Sequence, residues 1–125
     1  MIQANELRIG NKVYDNGKIC TIESINAFAD GEADVYLVET GNAGMFIDPI
    51  PLTEDILLKC GATSVIFTTN NEISSFDIGD LMFEKEVNGY CVFGSEWTIG
   101  KPFHYLHQLQ NLFFCLCGKE LTIKL

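Results

Sequence analysis

A chain of 125 residues is long enough for one ordinary hydrophobic core, and 47% apolar content with 11% aromatics is the composition of a globular protein, not a disordered one. Eight Lys and Arg against seventeen Asp and Glu give a formal charge of −9, a mean field that repels phosphate backbones and disfavours non-specific nucleic-acid binding. No apolar run of about 18 residues is present to span a bilayer as a helix, so no membrane association is expected.

The opening residues Met1 to Glu6 have neither the basic stretch nor the apolar segment of a targeting peptide, which points to the cytoplasm. The five cysteines, Cys20, Cys60, Cys91, Cys115 and Cys117, are odd in number and form no Cys-x-x-Cys pair, so reduced and mostly buried thiols are expected. On Cys115-x-Cys117 the helical period predicts Cys117 in the core and Cys115 on the surface.

In chain order, residues 5–50 read as short strands. Asn16-Gly17 joins Lys12-Val13-Tyr14 to Ile19-Cys20-Thr21-Ile22, and this dipeptide favours a hairpin turn because both central positions need positive φ. Strands at Val35–Val38 and Met45–Ile47 follow, so this region is predicted to be a small bent antiparallel sheet or an SH3-like barrel. Pro49 and Pro51 interrupt ladder pairing, after which residues 52–61 carry helix signals. Thr53 is the expected N-cap, Leu52 and Leu57 a hydrophobic staple, and Gly61 the residue beyond the end.

Residues 63–100 read as an antiparallel meander, with strands at Ser64–Thr68, Ile73–Phe76, Leu81–Lys85 and Tyr90–Phe93, a turn at Asn88-Gly89, and Trp97 and Ile99 on an edge strand. Residues 102–118 switch to helical period, with Tyr105, Leu106, Leu109, Leu112, Phe113 and Leu116 on one apolar face. Residues 119–125 alternate as a final half-buried strand inside the fold. The fold class expected is α+β, in a single domain over residues 1–125.

The opposite face of the last helix carries His104, His107, Gln108, Asn111 and Cys115 at i, i+3, i+4, i+7 and i+11. Two imidazoles one turn apart could ligate a metal, and the amides could read a polar partner, although any amphipathic helix must also have a solvated face. The His-Glu-x-x-His pattern of metalloproteases is missing, so no metal or other cofactor is assigned. Trp97 is the sole tryptophan and either a stacking residue or an edge-packing one. Asp77, Asp80, Glu84, Glu86 and Glu96 read as solvated strand and turn positions. There is no nucleophile elbow, phosphate loop or dinucleotide fingerprint, and no catalytic residue is assigned.

Three stretches, Glu6-Leu7-Arg8-Ile9-Gly10-Asn11, Ile50-Pro51-Leu52-Thr53-Glu54 with Leu57-Leu58-Lys59-Cys60-Gly61, and His107-Gln108-Leu109-Gln110-Asn111-Leu112 with Gly118-Lys119-Glu120-Leu121, together resemble a family of small uncharacterised bacterial proteins often borne by prophages. The resemblance implies a genomic setting and carries over no catalytic residue. Lys12 stands where that family has an aromatic residue. The function expected is a non-enzymatic binding or accessory module with a protein partner, met through the N-terminal sheet or the polar face of the last helix. The rivals are a small metal-dependent hydrolase using His104 and His107, and an acidic mimic of nucleic acid.

Overall fold

The computed structural model describes residues 6–27, 33–39, 47–93 and 98–124. The elements are β1 (Lys12–Asp15), β2 (Lys18–Ala27), β3 (Ala33–Leu37), β4 (Ile47–Asp48), α1 (Glu54–Lys59), β5 (Thr63–Phe67), β6 (Ile73–Ile78), β7 (Leu81–Glu86), β8 (Gly89–Phe93), β9 (Thr98–Phe103) and α2 (Leu106–Cys117). The fold is α+β, with two antiparallel sheets of order β3-β2-β1-β4 and β5-β6-β7-β8-β9. The chain divides into two compact units, one of Met1–Pro51 with Tyr105–Lys119 and one of Leu52–His104 with Glu120–Leu125. No helix among the described residues is long and apolar enough to cross a membrane.

In the first unit the β1-β2 hairpin turns at Asn16 (φ 53°) and Gly17 (φ 80°), the pair of positive φ values that the sequence signals. The register sets Val13 opposite Cys20 and Ile22 opposite Leu37. These four and Val35 form a buried cluster onto which Leu7, Ile25 and Ile47 pack. Leu106, Leu109 and Phe113 are the buried apolar positions of α2, at i, i+3 and i+7. The expected apolar face is narrower than predicted, because Tyr105 and Leu112 are half-buried and Leu116 is exposed.

Helix α2 starts at Leu106, not at Pro102 or Phe103 as the periodicity predicts. Phe103 is instead the last residue of β9, paired with Tyr90. Pro102 is tolerated there because β9 is an edge strand, where a missing N–H need leave no ladder bond unmade. The helix entry is fixed within the first unit by an isolated bridge between Pro51 and Tyr105 and by Leu106 N–H donating to the Ile50 carbonyl at 2.8 Å.

In the second unit Thr53 caps α1, its hydroxyl accepting from the Ile56 N–H at 3.3 Å, and both Leu52 and Leu57 are buried as a staple requires. The inner face of the second sheet is aromatic. Phe76 stacks on Phe83 at 4.9 Å between ring centroids, with Tyr90 edge-on to Phe76 and Phe103 edge-on to Phe83. Pairs of this kind add about 0.5–1.5 kcal/mol beyond the area they bury.

The final strand expected over residues 119–125 is not formed, since residues 121–124 pair with no strand. The alternation itself survives: Leu121 is buried, Ile123 half-buried, Thr122 and Lys124 exposed. The backbone partner is a helix end, because Lys124 N–H donates at 2.8 Å to the carbonyl of Lys59, the last residue of α1. Such terminal carbonyls have no partner inside their own helix.

Candidate functional site

The polar stripe foreseen on the last helix is neither a single stripe nor a free surface. His104 precedes α2 and belongs to the second unit, beside the β7-β8 turn, where a Cβ added to Gly89 would fall 3.1 Å from its Cε1. The two histidines therefore do not share a helical face. Gln108 is occupied at the helix start, its Oε1 accepting from the Tyr105 N–H at 3.2 Å. Asn111 Oδ1 accepts from Arg8 Nε at 3.2 Å and Asn11 Nδ2 at 2.8 Å, and its Nδ2 donates to the Glu6 carbonyl at 2.8 Å. Gln110, which the sequence did not single out, is only 3% exposed; its Oε1 accepts from the Lys12 N–H at 2.7 Å and its Nε2 donates to the Gly10 carbonyl at 3.1 Å. The amides of α2 thus hold the segment leading into β1, and their chemistry is spent inside the first unit.

His107 is 1% exposed, and neither ring nitrogen has a hydrogen-bond partner among the described residues. Its Nε2 lies 3.6 Å from Glu6 Oε1, a distance at which the carboxylate acts as a charge more than as an acceptor. The Tyr105 ring stacks nearly parallel to the imidazole at 6.1 Å. Burial pushes the imidazole below its ordinary range, and the Glu6 carboxylate opposes that shift. A ring so enclosed is a poor metal ligand, and among the described residues no three His, Cys, Asp or Glu side chains gather into a metal site.

Cys115 is exposed as expected, but Cys117, expected in the core, is exposed too. The buried part of α2 ends at Phe113, so every side chain of its last turn is exposed, whichever way it points. Cys20, Cys60 and Cys91 are buried and all five thiols are free. Trp97 lies outside the described residues.

Exposed apolar side chains are scattered over both units, and two of them, Ile66 and Met82, fall together on the outer face of the second sheet. Antiparallel register sets Ile66 opposite Ser75, Ser75 opposite Glu84, and Glu84 opposite Cys91, while the next row sets Thr63 opposite Asp77 and Asp77 opposite Met82. Ile66 and Met82 are 56% and 52% exposed. Between them the small Ser75 leaves a dip, a groove of about 150 Å³ lined also by Ser64, Asp77, Glu84 and Phe93. The edge strand β5 is irregular beside it: Ser64 takes φ 52° and the register shifts between Thr63 and Ile66. An irregular edge of this kind resists pairing with another strand, which leaves the face as the more accessible surface.

A signal for this face does exist in the sequence. Leu81-Met82-Phe83 and Val65-Ile66-Phe67 are runs of three apolar residues in strands, and strand alternation obliges part of each run to point away from the core. A second, shallower cleft of about 330 Å³ lies in the same unit, lined by Glu54, Asn71, Glu72, Lys85 and Tyr90. Lys85 Nζ and Glu72 Oε2 close on each other there at 3.3 Å, so these two charges offset each other.

Comparison of the chain with protein-family models, with curated proteins and with solved structures returns no match.

Proposed function

We propose that this chain is a non-enzymatic binding module, cytoplasmic and carried by a phage or mobile element, that recognises a protein partner through the outer face of its second sheet. The observation that carries the reading is the pair of half-exposed side chains, Ile66 and Met82, flanking a groove on the outer face of the second sheet. Single exposed apolar residues need no explanation, and it is the placing of two of them beside a concave groove that supports the reading. The genomic setting rests on the three sequence blocks alone. The polar face of the last helix is set aside as the docking surface because Gln108, Gln110 and Asn111 are engaged within the first unit. A hydrolase using His104 and His107 is disfavoured by the enclosure of His107.

The test is affinity capture from the native host with the wild-type chain and with the Ile66→Ser, Met82→Ser double variant. Any stoichiometric partner is then purified and its binding remeasured by calorimetry. The reading expects a defined complex that the double variant loses at unchanged thermal stability. Capture of no stoichiometric protein, or equal binding by the variant, would overturn it.

A further inference from the structure

Resting on that reading of the outer sheet face, we infer that the segment it receives is basic and apolar together: one bulky hydrophobic side chain seated in the groove, with Lys or Arg on either side. The shape of the site sets the first half of this description. A cavity of about 150 Å³ accepts a group of roughly benzene size, which is one leucine, isoleucine or phenylalanine side chain and not a helix face. Ile66, Met82, Phe83 and Phe93 are its apolar lining, with Ser75 opposite Ile66.

Charge sets the second half. The groove is lined by Asp77 and Glu84, one in each cross-strand row, and, among the described residues, by no Lys or Arg. Glu86 lies on the same face two residues beyond Glu84, while Lys85, between them, points to the other side, where it meets Glu72. An acidic segment would therefore be repelled, and a neutral apolar one would leave both carboxylates to be partly desolvated without compensation. A cation on each side of the anchoring side chain removes that cost. The chain's formal charge of −9 adds long-range attraction for the same kind of segment. The irregular β5 edge disfavours strand addition, so selection is made by side chains on the face and not by backbone pairing.

The experiment is selection of a random-sequence displayed peptide library on the immobilised wild-type chain, followed by fluorescence anisotropy of the enriched peptides as synthetic probes. The expected result is enrichment of Lys or Arg flanking Leu, Ile or Phe. Binding of such a peptide should fall about threefold to tenfold with Asp77→Asn plus Glu84→Gln, and its salt dependence should flatten. Enrichment of neutral or acidic apolar peptides that still require Ile66 and Met82 would overturn the basic partner while leaving the surface standing. No enrichment, or enrichment that survives Ile66→Ser with Met82→Ser, would remove the surface itself.

Discussion

Asn11 and Asn111, a hundred residues apart in sequence, are joined side chain to side chain: Asn11 Nδ2 donates to Asn111 Oδ1 at 2.8 Å. Asn11 is fully buried, and its own Oδ1 accepts from the Arg8 N–H at 2.7 Å. Through this contact the short turn at Arg8–Asn11 is held to α2. The same turn is tied to β2 by Gly10 N–H donating to the Ile22 carbonyl and Ile22 N–H donating to the Asn11 carbonyl. Helix and sheet of the first unit are therefore joined by buried polar links, the Asn11–Asn111 pair beside the Gln110 bonds to Lys12 and Gly10.

Asn111→Ala should strip partners from Asn11, Arg8 and the Glu6 carbonyl together, leaving a buried amide unsatisfied at a cost of about 1–3 kcal/mol. Asn11→Ala should cost a similar amount, and the double variant less than the sum, with a coupling of about 0.5–3 kcal/mol. Urea unfolding of the three variants at unchanged slope measures this directly. Strict additivity would show that the two amides do not act as a unit.

His107 gives the first unit a defined acid sensitivity. Its pKa is lowered in the folded state, chiefly by burial with Glu6 opposing, so the unfolded chain binds the proton more readily. Stability is then complete above the ordinary histidine value of 6.5 and is lost as the pH falls through and below it. Glu39 acts in a lower window. Desolvation pushes its carboxyl up, but the Thr21 N–H and hydroxyl outweigh that and hold it below its ordinary value of 4.5. Its contribution is therefore lost only on further acidification. Thermal midpoints of the wild type should drop between pH 7.5 and 5.5, and His107→Gln should flatten that segment of the curve while leaving the more acidic segment in place.

Thiol reactivity should divide the cysteines by burial. Burial pushes the Cys60 thiol up to about 12 and raises Cys20 and Cys91 as well, so these three carry little thiolate at pH 8. Iodoacetamide under native conditions, followed by peptide mass mapping, should modify Cys115 and Cys117 first and the other three only in denaturant. Early labelling of Cys60 would contradict its burial.

The parts of the fold that were legible in the sequence are those where a local backbone requirement singles out a residue. Asn16-Gly17 announces a turn with two positive φ angles, and Thr53 with Leu52 and Leu57 announces a capped helix. Legibility failed where one pattern serves two structures. Phe103 stands in helical phase with Leu106, Gln110 and Phe113, and that phase extends the last helix backwards into what is an edge strand. The final segment has the alternation of a strand without a neighbouring strand to pair with. The polar residues of α2 were the least legible, because a helix face of amides reads the same whether water or a distant turn such as Arg8–Asn11 accepts its hydrogen bonds. Met82 was visible in principle as the middle of an apolar run, but only the register with Asp77 shows that it faces outward beside a groove.

Gly89 offers the sharpest test of the second unit, because two independent constraints meet there. Its φ is 132°, a region closed to most side chains, and an added Cβ would sit 2.6 Å from the Phe103 carbonyl oxygen. Gly79 shares the first constraint without the second: its φ is 59° and nothing lies within 4 Å of an added Cβ. Gly79→Ala should therefore cost only the backbone conformation, about 1 kcal/mol. Gly89→Ala should cost that strain and also force β9 away from β8 at the Tyr90–Phe103 pair, reaching about 3 kcal/mol or more. Hydrogen exchange should localise the damage, with faster exchange in β8 and β9 and at the Leu52 amide, which donates to the His104 carbonyl. Equal losses for the two alanine variants would mean that the backbone conformation alone, and not the close approach of β9, requires glycine at position 89.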